Sequence, residues 1–434
     1  MHILFLTHYF PPEVNAPASR TYENARHWVR AGHRVTVLTC VPNHPAGVIY
    51  PGYRNRLWQW EELDGIRVLR VKTYLSPNQG FSRRILNYLS YLLCATILAP
   101  LVAGVDLVVS TTPQFFCGLT GFLVSHMKRV PWVLEVRDLW PESIVTVGAM
   151  RRGRGVRLLE RVESFMYRRA DHVVALTHAF KRHITARGVA DQRVTVIKNG
   201  ADLERFVPAS RDNAFRAAYR LDGRFVASYV GTHGMAHALD LVLRAAQRLR
   251  SDPRFLFLLV GDGAEKERLL AEKERLGLDN VLMLPQHPKE LMPEILAASD
   301  ASLVLLKNSE LFRTVIPSKM FEAMAMARPI ILGVAGESRE IVEEGACGLC
   351  IEPESLDQLV EALERLAASP ELAASLGDSG RSFVIGEYDR EKLALRFLDL
   401  LSSLAGGAGR GRTLPQPGSR PLDRLPQTGT GSVA

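Results

Sequence analysis

The sequence predicts an α/β protein of two Rossmann-like, doubly wound parallel-sheet domains facing each other across a cleft. Three observations predict it. Short apolar runs without alternation, such as Ile3-Leu4-Phe5-Leu6 and Phe225 to Val230, recur with helical stretches between them, the pattern of parallel strands buried on both faces. The chain has 434 residues, 47% of them hydrophobic, which suits two globular units. Lys198-Asn199-Gly200 carries a tight-turn signal between two halves of the same rhythm. We place the first domain at 1–200, the second at 201–385, a last helix at 386–404, and a disordered tail rich in Gly, Pro, Arg and Ser at 405–434.

Composition bounds the partners. The formal charge of +8 favours an anionic one, and nucleic acid, anionic lipid and nucleotide-sugar all qualify. Basic runs such as Arg151-Arg152-Gly153-Arg154 and Arg168-Arg169 lack interleaved aromatics, so no nucleic acid is expected. Five scattered cysteines, Cys40, Cys94, Cys117, Cys347 and Cys350, fit a reduced, cytoplasmic protein. Cys347 and Cys350 have redox or zinc spacing but no second pair, so packing is their expected role. Met1-His2 runs directly into Ile3 to Leu6, too short for a signal core.

Ile3 to Thr7 is the first strand, and His8-Tyr9-Phe10-Pro11-Pro12 opens a loop to Pro17. The loop lacks Gly-x-Gly-x-x-Gly, which argues against a nicotinamide or flavin site. Ser19 to Ala31 is helical, and Gly32-His33-Arg34 turns into the strand Val35 to Thr39, a right-handed βαβ unit. Tyr53 to Glu62 is basic and aromatic, and Ile66 to Val71 reads as a strand with one wet face. Ile85 to Ala103 approaches a membrane span, but Asn87, Ser90, Thr96 and Pro100 interrupt it and the strand Asp106 to Ser110 follows at once. We expect a domain helix with part of its surface open to a bilayer, Arg83 and Arg84 meeting anionic headgroups. The strand Pro131 to Val136 ends at Arg137-Asp138, where open α/β sheets hold their ligands; a pair that merely caps the strand is the competing reading. Strands at Asp171 to Thr177 and Arg193 to Ile197 complete this half.

In the second half, Phe225 to Val230 leads through Gly231-Thr232-His233-Gly234 to a helix from Ala238 to Arg250. Small residues there let backbone N–H groups approach phosphate. Strands follow at Phe255 to Val260, Val281 to Leu284 and Leu303 to Lys307. Pro317 suits the first position of a helix running from Ser318 to Ala327, stopped by Arg328-Pro329 before the strand Ile330 to Gly333. The helix start and Lys319 offer positive charge to a phosphate, and Glu322, one turn further, can accept both hydroxyls of a ribose. Together they describe a nucleoside-diphosphate site; a buried amphipathic helix is the plain alternative.

Pro317-Ser318-Lys319, then Glu322, a small-residue helix and Arg328-Pro329 resemble the donor signature of glycosyltransferase family 4, retaining enzymes of the two-Rossmann GT-B architecture. The likeness is to the bacterial branch that builds surface polysaccharides, the L-fucosamine and colanic-acid type. Lys198 to Phe206 resembles the family hinge, and the resemblance runs to about residue 404. It implies transfer of a sugar, an N-acetylated or deoxy hexose by its leaning, from UDP to a lipid-linked saccharide at the inner face of the cytoplasmic membrane. It implies donor binding by Gly231, Thr232, Gly234, Lys307, Ser318, Lys319 and Glu322, catalysis by Arg137 and Asp138, an acceptor or cleft loop at His8 and Asn15, and a last helix crossing back to the first domain.

The chain departs from the family in four places. Asn15-Ala16-Pro17 replaces paired glycines, Arg137 replaces a histidine, Thr232 and His237 replace a basic pair, and Thr314 replaces the first of two glutamates. Sugar contacts are therefore expected from the N–H groups of Phe312 to Val315, and diphosphate charge from Lys307 and Lys319. No Asp-x-Asp pair follows a strand, so no metal or cofactor is expected. A nucleotide-sugar 2-epimerase of the same plan and a non-catalytic nucleotide-binding module are the alternative readings. Leu425-Pro426-Gln427-Thr428-Gly429 matches a sortase pattern but lacks the apolar segment and basic tail a sorting signal needs.

Overall fold

The computed structural model describes residues 1–407 apart from 77–80, 113, 147, 149 and 151. The sortase-like pattern, nearly all of the expected tail and Arg151 lie outside the described residues. The first sheet contains β1 (His2–Leu6), β2 (Arg34–Cys40), β3 (Trp58–Leu63), β4 (Ile66–Val71), β5 (Leu107–Thr111), β6 (Trp132–Val136), β7 (His172–Ala175) and β8 (Val194–Val196), in the spatial order β3-β4-β2-β1-β5-β6-β7-β8. The second contains β9 (Phe225–Val230), β10 (Phe255–Val260), β11 (Val281–Leu284), β12 (Ala301–Leu305), β13 (Ile330–Gly333) and β14 (Gly348–Cys350), ordered β11-β10-β9-β12-β13-β14. Every pairing is parallel except that of β3 with β4. Central strands such as β1 and β10 are buried at every residue, because helices cover both faces.

Two expectations are corrected at the sheet edge. The basic, aromatic segment is a strand, β3, joined to β4 by Asp64-Gly65, both at positive φ. Asp-Gly between two strand-like runs is a hairpin signal. With β3 beside it, β4 is buried except at Arg67: Ile66 and Val68 join one core cluster, Leu69 and Val71 the other.

The apolar stretch is the helix Phe81–Leu98, followed by a 3-10 turn at Ala99–Leu101. Tyr91, Ala95, Leu98 and Ala99 pack into the first domain's core, while Leu86, Leu93, Ile97 and Leu101 are exposed. It is long and apolar enough to cross a membrane, yet here it lies against the sheet and the helix Phe115–Lys128.

The last helix is Arg390–Gly407, four residues later in start than expected, because Tyr388-Asp389 breaks from the helix Pro370–Glu387 to pair with Ala201. It lies on the first domain's helix Ala16–Arg30. Trp28, fully buried, donates from Nε1 to the Ala394 carbonyl at 2.8 Å and meets the Phe397 ring edge-on. The two domains also touch across the cleft. Lys198 Nζ lies 2.9 Å from Glu337 Oε1, Lys289 Nζ 2.6 Å from Glu23 Oε1, and Leu311 inserts into the first domain's core.

Candidate functional site

The carboxyl ends of the parallel strands bound the cleft, where open α/β sheets bind ligands. In the second domain the turns after β9 and β10 touch backbone to backbone. A Cβ on Gly261 would fall 1.9 Å from the Gly231 carbonyl oxygen, so only glycine fits. The Gly231 and His233 N–H groups are spent on the Val260 and Asp262 carbonyls. Among the described residues, those of Thr232 and Gly234 have no protein acceptor.

Lys319 reaches this turn from the far side. A Cβ on Gly231 would stand 3.0 Å from its Nζ, which lies 3.5 Å from the centroid of the Tyr229 ring. The side chain keeps some surface, but the nitrogen is buried with no hydrogen-bond partner, and burial lowers its pKa to about 7. Tyr229 in turn donates its hydroxyl to the Thr232 carbonyl at 2.8 Å, holding the turn and the ammonium together. Burial holds the neighbouring His233 and His237 down at about 4 and 3, so both are neutral at pH 7. Among the described residues no carboxylate lies within ion-pair distance of this ammonium, and only Glu322 opposes its burial from further off; such an incomplete electrostatic pair can be completed by an anionic ligand.

Glu322 stands on the same short helix, Lys319–Ala325. This helix is shorter than expected, since Ala327 at positive φ and Pro329 end it. Its dipole is correspondingly small, and Lys319 supplies the charge. Burial raises the Glu322 pKa, opposed by Lys289, Arg390 and Lys319 and reinforced by Glu23.

On the first domain, Arg137 donates to the carbonyls of Pro17 at 3.0 Å and Ala16 at 2.9 Å. Burial pulls its pKa down to about 9, with Glu135 opposing, so it remains a cation at neutral pH. Glu135 is itself fully buried and accepts from Arg20 Nε at 2.8 Å, while Arg20 also donates to the Ile197 and Lys198 carbonyls of the hinge. The same two residues, Glu23 and Arg390, act electrostatically on both Arg137 and Glu322. Glu23 is buried between Lys289 and Arg390, whose Nε lies 3.2 Å away. Arg137 and Glu322, one from each domain, thus both feel the buried ion-paired cluster of Glu23, Lys289 and Arg390.

Other predicted residues sit elsewhere. Asp138 faces its own domain, near Ser143, the Leu139 N–H and Tyr167, and burial raises its pKa to about 6. Asn15 caps the helix Ala16–Arg30, accepting from the Ala18 N–H at 2.8 Å. His8 is buried among Tyr9, Tyr88 and Tyr91. Lys307 is exposed beside Asp240 and Arg268, in a shallow hollow next to the Gly234 turn. Ser318, half-buried, precedes Lys319 and makes no side-chain cap. The N–H groups of Phe312 to Val315 already donate to Ser309, Leu311 and Phe312 carbonyls in a 3-10 turn, which corrects the expectation that they contact the sugar. Tyr229, Glu23, Lys289 and Arg390 were not foreseen. Among the described residues no cluster of His, Cys, Asp and Glu could hold a metal ion.

Comparison with known proteins agrees with this geometry. The family described as "Glycosyl transferase 4-like domain" matches residues 15–200, and "Glycosyl transferases group 1" matches 211–383. Relatives include WcaI of Escherichia coli, named for colanic acid biosynthesis, 24% identical over 92% of this chain and 99% of its own. WbjE of Pseudomonas aeruginosa, named as a glycosyltransferase, is 26% identical over 75% of this chain and 83% of its own. Among solved structures, Anabaena HepE in complex with UDP has a TM-score of 0.69 at 18% identity, covering 93% of this chain and all of that one. WaaG, a glycosyltransferase involved in lipopolysaccharide biosynthesis, has a TM-score of 0.67 at 16% identity, covering 92% and 99%. The two family matches together span both sheet domains, and the chain belongs to the glycosyltransferases of the GT-B type.

Proposed function

We propose that this glycosyltransferase moves a hexose, N-acetylated or deoxy, from UDP to a lipid-linked saccharide with retained anomeric configuration and without a metal. The product would be a surface polysaccharide, lipopolysaccharide or exopolysaccharide. The observation that carries the reading is the buried Lys319 ammonium, stacked on Tyr229 at the turn after β9 with no hydrogen-bond partner among the described residues. In this reading Lys319 and the Thr232 and Gly234 N–H groups take the diphosphate, and Glu322 takes the ribose hydroxyls. UDP is favoured because the neighbouring HepE structures hold UDP and UDP-glucose.

Transfer breaks the bond from the anomeric carbon to the diphosphate oxygen and forms one to an acceptor hydroxyl, whose proton leaves with the departing phosphate. Lys319 stabilises the negative charge that develops on that phosphate. Arg137 stands at the carboxyl end of β6 as the charged group on the opposite wall, and domain closure excludes water. The exposed Leu86, Leu93 and Ile97, with Arg83 on the same helix, would rest on an anionic bilayer, a peripheral position at the inner face of the cytoplasmic membrane.

The test is thermal unfolding of wild type and Glu322→Ala with UDP, GDP and ADP, followed by donor turnover with and without acceptor membranes. Stabilisation by UDP alone, lost in the variant, and turnover only with acceptor are expected. Equal response of the variant would remove Glu322 from the site, and turnover without acceptor would make the enzyme an epimerase or hydrolase.

A further inference from the structure

A second polar pocket opens on the first domain, at the carboxyl ends of β1 and β2, where His8 follows β1 and Asn43 and His44 follow β2. It is a small hollow open to solvent, lined by His8, Tyr9, Asn43, His44, Arg84 and Tyr88 among others. Arg84 comes from the first turns of the helix Phe81–Leu98. Its guanidinium donates to the Tyr88 hydroxyl at 3.1 Å and lies over that ring. Among the described residues no carboxylate forms an ion pair with it, and the groups that act on it are the Tyr88 and Tyr9 hydroxyls. His8, 2% exposed, has its Nδ1 buried with no hydrogen-bond partner. Burial holds His8 and His44 at about 3 and 4, so at neutral pH both are uncharged imidazoles that can donate or accept. A lone guanidinium among neutral donors, with no carboxylate to satisfy it, is chemistry for an oxyanion, and Arg binds phosphate through a planar fork. The same helix that supplies Arg84 turns Leu86, Leu93 and Ile97 outward, the last two 60% and 71% exposed.

We propose that this pocket binds the phosphate or diphosphate that joins the lipid of the acceptor to its saccharide, with Arg84 as the cation and His44 and Tyr9 as neutral partners. The lipid would then run along the exposed leucines and the saccharide toward the cleft. The proposal rests on the reading of the acceptor as lipid-linked. A phosphate could equally come from a bilayer headgroup, and the test separates the two sources.

The probe is geranyl diphosphate, a soluble prenyl diphosphate, titrated into the full chain and into Arg84→Ala and Arg84→Lys, with geraniol as the uncharged control. Each protein is also sedimented with mixed phosphatidylcholine–phosphatidylglycerol vesicles, and UDP-dependent thermal stabilisation is recorded alongside. Saturable binding of geranyl diphosphate but not geraniol is expected, weakened about tenfold or more in Arg84→Ala and by less in Arg84→Lys, which keeps the charge but loses the fork. Vesicle binding should stay within about twofold, since the leucine stripe carries it. UDP stabilisation should be unchanged, which also reports that each variant is folded. Unchanged affinity in a folded Arg84→Ala overturns the proposal, as does loss of vesicle binding with diphosphate affinity retained, which assigns Arg84 to bilayer headgroups. Failure of UDP to stabilise wild type counts against the donor reading and leaves the pocket result to stand on its own.

Discussion

Replacing Lys319 with Met keeps the length and apolar contacts of the side chain and removes its ammonium. At about 1.4 kcal/mol per tenfold, a fall in pKa from 10.5 to about 7 weighs roughly 5 kcal/mol against the charged form in the empty site. The side chain keeps part of its surface, which screens that penalty, and the Tyr229 ring returns up to about 2 kcal/mol, leaving a net cost of roughly 1–3 kcal/mol. Lys319→Met should therefore be more stable than wild type without ligand, by roughly 2–4 °C per kcal/mol in apparent Tm. The sign with pH follows from a lowered cationic pKa. The unfolded chain holds the proton more tightly, so the penalty is absent above pH 10.5, grows as pH falls from there, and is complete below about pH 7. The advantage of the variant should vanish as pH rises toward 10.5. With UDP the gap closes or reverses. At about 100 times its Kd a ligand adds about 2.7 kcal/mol, and the variant should lose most of that gain. Differential scanning fluorimetry at several pH values, with and without UDP, reads both effects. A variant less stable than wild type at neutral pH, yet equally stabilised by UDP, would refute the reasoning and make Lys319 a packing residue.

Other perturbations have equally definite outcomes. Glu23→Gln leaves Lys289 and Arg390 buried without their anion and should cost about 3–5 kcal/mol in denaturant unfolding. Because the Glu23 pKa is lowered in the fold, its contribution is present at neutral pH and is lost as pH falls through that lowered value, so wild type and variant should converge in acid. Trp28→Ala empties the contact that docks the last helix and should cost about 3–5 kcal/mol, with the segment 390–407 becoming the first site of limited proteolysis. Arg137→Lys, which keeps charge but loses the fork that holds Ala16 and Pro17, should lower kcat about 100-fold or more with little change in donor KM. Chelation with EDTA should leave the transfer rate unchanged, since Lys319 supplies the charge on the donor phosphate; a rate restored only by added divalent cation would place a metal in the reaction.

The sequence by itself determined the sheets and the short helix of Lys319 and Glu322. Runs such as Phe225 to Val230 and Phe255 to Val260 became strands at the expected residues, because a parallel strand buried on both faces must be apolar throughout. Local chemistry likewise marked the helix of Lys319 and Glu322, through Pro317 before it and Pro329 after it. The edge hairpin was also legible, in Asp64-Gly65, had the turn been weighed above the mixed composition of Trp58–Leu63. What only the tertiary structure decided are the partners. Asn15 looked like a cleft residue and is a helix cap; Lys307 looked like a second phosphate lysine and lies by Asp240; the amides of Phe312 to Val315 are spent on their own turn. Glu23, Lys289 and Arg390 stand a hundred residues or more apart and meet only because the last helix returns to the first domain. Periodicity and turn chemistry are local and can be read along the chain. The burial that lowers the pKa of Lys319, and the ring and ion pairs that surround the cleft, exist only after distant segments have excluded water together.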